Sequence, residues 1–150
     1  MVNLTLINKS KKSYSTLEHK LLFLGVFQDK NLNPLQRSLD IVLDNRLSAA
    51  IKTDGFTGKK DIQIQIFGNE IIERVVLFGL GNQKDYSTDL SRSIAAEITM
   101  YSTKAKVPNF SIDGESFGLK KNNYAQAFAE GLVLGSYEFN NYKSKKNDSV

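Results

Sequence analysis

The chain has 150 residues, the length of one ordinary domain, and at that length about 68–70% of the unfolded surface is typically buried, enough for a core without covalent staples. It contains no cysteine, which excludes disulfides and thiolate metal sites and fits a reducing cytoplasm. With 41% hydrophobic and 24% charged residues and a net charge of +4, it reads as a mildly basic, soluble globular protein.

The first residues, MVNLTLINKSKKSYS, lack the apolar run of a secretory signal, and the lysines follow the apolar residues instead of preceding them. No stretch approaches the ~18 apolar residues of a membrane span. Three short lysine clusters stand out: Lys9, Lys11 and Lys12; Lys59 and Lys60; Lys143, Lys145 and Lys146. Solvated surface is the plain reading of each, and nucleic-acid binding is the rival, since it requires them on one face.

In chain order, VNLTLIN alternates apolar Val2, Leu4 and Leu6 with Asn3 and Thr5, predicting a short strand. KLLFLGVF, Lys20 to Phe27, is apolar after its first residue and suits a strand covered on both faces. Leu43, Leu47, Ala50 and Ile51 in LDNRLSAAIKT share helical spacing, with Gly55 as the stop. Ile62, Ile64 and Ile66 alternate with Asp61, Gln63 and Gln65, predicting a strand with one buried face. Gly68-Asn69 is a turn, and ERVVLFGLGN supplies a second strand over Val75 to Phe78, so the two form an antiparallel hairpin.

STDLSRSIAAEITMYSTKAK predicts a helix capped by Ser87 or Thr88, with Asp89 in its first turn and Leu90, Ile94, Ile98 and Tyr101 as its buried stripe. VPNFSID is a strand candidate, placed near a sheet edge because Pro108 cannot donate to a ladder. The last helix starts near Asn122 or Asn123 and carries Tyr124, Phe128, Gly131, Leu132 and Gly135 on one face. Strands and helices alternate around one hairpin, which predicts a three-layer α/β/α domain with a mixed, partly parallel sheet.

Chemistry is sparse. His19 is the single histidine, and no acidic residue stands three or four positions from it. A zinc site typically takes four ligands from Cys, His and carboxylates, so a site at His19 would have to be built almost wholly from carboxylates, and these are scattered. Gly79 to Asn82, GLGN, sits where an apolar strand ends and a helix soon follows, a place where glycine lets backbone approach a phosphate. It lacks the third glycine of a dinucleotide fingerprint and a following Walker lysine, so a tight structural turn is the preferred reading. Asp113 to Ser116, DGES, is a turn with two carboxylates and no base, and Lys20 borders an apolar run with nothing beside it to suggest a site. No serine sits in G-x-S-x-G. No catalytic, cofactor-binding or metal-binding residue is therefore assigned.

Three stretches taken together carry a resemblance: FTGKKDIQIQI, ERVVLFGLGN and AFAEGLVLGSYEFNNYKSKK. In this order and spacing they resemble the N-terminal domain of the leucine aminopeptidase family, also called cytosol aminopeptidases. Phe56, Gly58 and Lys59 match its Phe-x-Gly-Lys segment, Glu73 to Gly81 its strand and turn, and Glu130 to Lys143 its E-G-x-x-L-x-x-Y-x-F-x-x-Y-K run, the most specific of the three.

The resemblance implies a fold similar to macro domains and a cytoplasmic parent enzyme that removes N-terminal residues from peptides. It also implies two divalent metals in that parent, zinc, manganese or magnesium, and a hexamer. The family's metal-binding carboxylates, lysines and catalytic arginine lie in a C-terminal domain, and none of those motifs occurs here, so no catalytic residue carries over. The expected layout is a domain over 1–140 and, over 141–150, the start of a linker to a catalytic domain absent from this chain. Gly131 and Gly135 are expected to bring the last helix close to the sheet, and Tyr137, Phe139 and Tyr142 to begin an interdomain seam. The rival functions are ADP-ribose binding at Gly79 to Asn82 and nucleic-acid binding through the lysines.

Overall fold

The structure, a computed structural model, describes residues 3–6 and 20–148, with side chains described for 20–137. Five strands form one sheet in the order β1-β5-β2-β4-β3: β1 (Asn3–Leu6), β2 (Leu22–Val26), β3 (Gln63–Phe67), β4 (Arg74–Gly79) and β5 (Asn109–Ile112). β1, β5, β2 and β4 run parallel, and β3 pairs antiparallel with β4 in the predicted hairpin. Among the described residues, four α-helices flank the sheet: α1 (Pro34–Val42), α2 (Arg46–Asp54), α3 (Thr88–Lys104) and α4 (Asn122–Asp148).

β2 and β4 are buried on both faces because alternate side chains serve opposite layers. Phe23, Val76 and Phe78 point to α3 and α4, where they meet Ile94, Ile98, Phe128 and Leu132. Leu22, Leu24, Val75 and Leu77 point to the other side, against Leu39, Leu43 and Leu47 from α1 and α2. The three layers thus follow from two adjacent strands that are apolar at every position.

Two local expectations are corrected, and the reason given for a third. Leu43 to Ile51 is not one helix. Asp44 and Asn45 take left-handed backbone conformations (φ 53° and 62°), which break the chain between α1 and α2. The buried Asp40 carboxylate then caps α2, accepting from the Leu47 and Ser48 amides at 2.9 and 3.1 Å. The helix before the break, α1, went unread although its start carries a capping box: Asn33 accepts from the Gln36 amide, Gln36 reaches back to the Asn33 amide, and Pro34 occupies the first turn.

β5 lies near the edge as expected, one strand in from the edge strand β1, but not for the reason expected. The strand begins at Asn109, so the donor that Pro108 lacks falls outside the ladder. Gly131 and Gly135, finally, approach α3 and not the sheet. A methyl on Gly135 would lie 2.5 Å from the Ala96 carbonyl oxygen. Small polar side chains on α3 exploit the closeness: the Thr99 hydroxyl donates to the Leu132 carbonyl at 3.1 Å, and Ser91 to that of Tyr124 at 3.3 Å. The α4 backbone includes 141–148, the stretch read from sequence as the start of a linker.

Candidate functional site

β4 is an apolar parallel strand that ends at Gly79, and the chain turns through Leu80, Gly81 and Asn82 before α3 begins. Asn82 caps a short 3-10 turn (Gln83–Asp85), and the Ser87 hydroxyl caps α3 by accepting from the Leu90 amide at 3.1 Å. These segments and the 59–63 stretch enclose a cleft of about 820 Å³, lined among others by Lys60, Asp61, Gly81, Asn82, Ser93 and Glu97. Clefts at the carboxyl ends of parallel strands are where open α/β sheets bind ligands, so this is the place to test a nucleotide reading.

The glycine turn is occupied by the chain itself. The Gly79 amide donates to the Ile62 carbonyl at 2.8 Å, that of Leu80 to Val26 at 2.9 Å, and that of Gly81 to Gly58 at 2.9 Å. Three successive donors that would cradle a phosphate are therefore spent on structure. The glycines have a packing reason as well. A methyl on Gly79 would lie 2.0 Å from the Lys59 carbonyl oxygen, and Gly81 has φ +76° with the Lys60 side chain 3.2 Å from the added carbon.

The crest beside it is also filled. The Gly25 amide donates to the Ser116 hydroxyl at 2.9 Å, and the Gln36 side chain donates to the Gly25 carbonyl at 2.8 Å. The Tyr86 hydroxyl donates to the Phe117 carbonyl at 2.7 Å, tying the two loops together. DGES is thus a structural plug: Ser116 holds β2, and Asp113 and Ser116 are both buried.

The cleft's electrostatics do not favour an anion. Lys59 and Lys60 face Asp61, Asp85, Asp89 and Glu97. Burial raises the Glu97 carboxyl above its ordinary value, Asp61 adds to the rise, and Lys60 opposes it. Sequence reasoning missed Glu97, although it stands three residues after Ile94 and so flanks the buried stripe.

His19 and the Lys9, Lys11 and Lys12 cluster lie outside the described residues, as do the side chains of Phe139, Tyr142 and the Lys143, Lys145 and Lys146 cluster. Lys20, Lys59 and Lys60 are exposed, and Tyr137 is 65% exposed beside Val133 and Leu134. Among the described residues no group of three or more His, Cys, Asp or Glu side chains is placed to hold a metal ion, and no helix is long and apolar enough to cross a membrane.

Fold and cleft together define a three-layer α/β/α domain in which the glycine turn after β4 is used to hold the chain. Comparison with known proteins gives the family. Residues 23–146 match the model of the cytosol aminopeptidase family, N-terminal domain, and the chain belongs to that family. A probable cytosol aminopeptidase of Persephonella marina is 31% identical over 126 residues, 81% of this chain and 25% of that protein. One of Alkaliphilus oremlandii is 28% identical over 133 residues, 85% of this chain and 27% of that protein. A solved structure of a tomato leucine aminopeptidase mutant superposes with a TM-score of 0.71 at 26% identity, covering 91% of this chain and 28% of that one. The chain therefore spans about a quarter of the length of the relatives it matches.

Proposed function

We propose that this chain acts as the non-catalytic N-terminal domain of a leucyl aminopeptidase, a cytoplasmic metalloexopeptidase that releases N-terminal residues from peptides. In this reading catalysis belongs to a C-terminal domain that binds two divalent metals, zinc, manganese or magnesium. The present domain shapes and assembles the enzyme, as a macro-like module within a hexamer. The observation that carries the proposal is the match of residues 23–146 to the N-terminal domain of this family. The self-satisfied amides of Gly79, Leu80 and Gly81 support a structural role over a nucleotide-binding one. The exposed Val133, Leu134 and Tyr137 on α4 are consistent with a seam toward a catalytic domain.

The test is the reading frame downstream of Val150. The proposal expects it to encode a carboxylate- and lysine-rich metal-binding domain, and expects the longer product to cleave leucyl peptides when given manganese or zinc. A stop codon there in the native gene, with no partner gene encoding such a domain, would refute it.

A further inference from the structure

We draw no further inference here: the strongest candidate, the cleft between the 59–63 stretch and α3, carries nothing, because the glycine-turn amides beside it are spent on the chain itself and its carboxylates Asp61, Asp85, Asp89 and Glu97 form an acidic cluster with no further feature of the structure pointing to a ligand.

Discussion

A methyl group placed on Gly131 of α4 would lie 2.0 Å from the carbonyl oxygen of Arg92 on α3, and 2.8 Å from the Ala95 side chain. The first contact is with backbone, which cannot swing aside. Glycine in a helix costs about 1 kcal/mol relative to alanine, so propensity alone favours Gly131→Ala. Overpacking typically costs roughly 1–3 kcal/mol and should win. Both Gly131→Ala and Gly131→Leu are expected to lower the urea midpoint, leucine more. A neutral or stabilising leucine would place the residue on an open face.

Glu97 predicts a pH dependence. Its folded carboxyl titrates above its ordinary value, so the folded state binds more protons than the unfolded state between the two values. Stability therefore falls as pH rises through that window. Glu97→Gln removes the charge and should stabilise the domain at neutral pH. The advantage should shrink as pH drops and vanish below the ordinary glutamate range, where both side chains are neutral. Thermal melts of both proteins across pH 3 to 8, a range chosen to span ordinary carboxylate values, would check this. An advantage that grows on acidification would contradict it.

The glycine turn predicts a negative binding result. With the Gly79, Leu80 and Gly81 amides already bonded, ADP-ribose should give no saturable heat in calorimetry at high micromolar ligand. A one-to-one signal that is lost on substituting Gly81 would move the function to nucleotide binding.

The parts of the fold legible in the sequence were those where periodicity speaks without help from distant residues. The apolar runs of β2 and β4, the β3–β4 hairpin and the stripe of α3 all stand where the pattern placed them. The α1–α2 break was not legible, because the residue that caps α2 is Asp40, seven residues before Leu47 in the chain. β5 stands near the edge, but Pro108 is not the reason, because it precedes the strand. The glycines of α4 announced a close approach but not its partner, since only the packed structure shows that Arg92 and Ala96 stand across from them. The cleft was half legible. GLGN marked its wall, but the carbonyls of Val26, Gly58 and Ile62 that consume its donors come from elsewhere in the chain.

The central proposal is that this domain is part of an aminopeptidase whose chemistry lies in another domain. The most direct measurement is hydrolysis of leucine amide by the purified 150-residue chain, with and without added zinc or manganese. The account predicts no turnover under either condition, because in the proposed reading the catalytic metals are held by a C-terminal domain. Metal-dependent turnover that tracks the chain through purification, in a host lacking its own aminopeptidases, would contradict it.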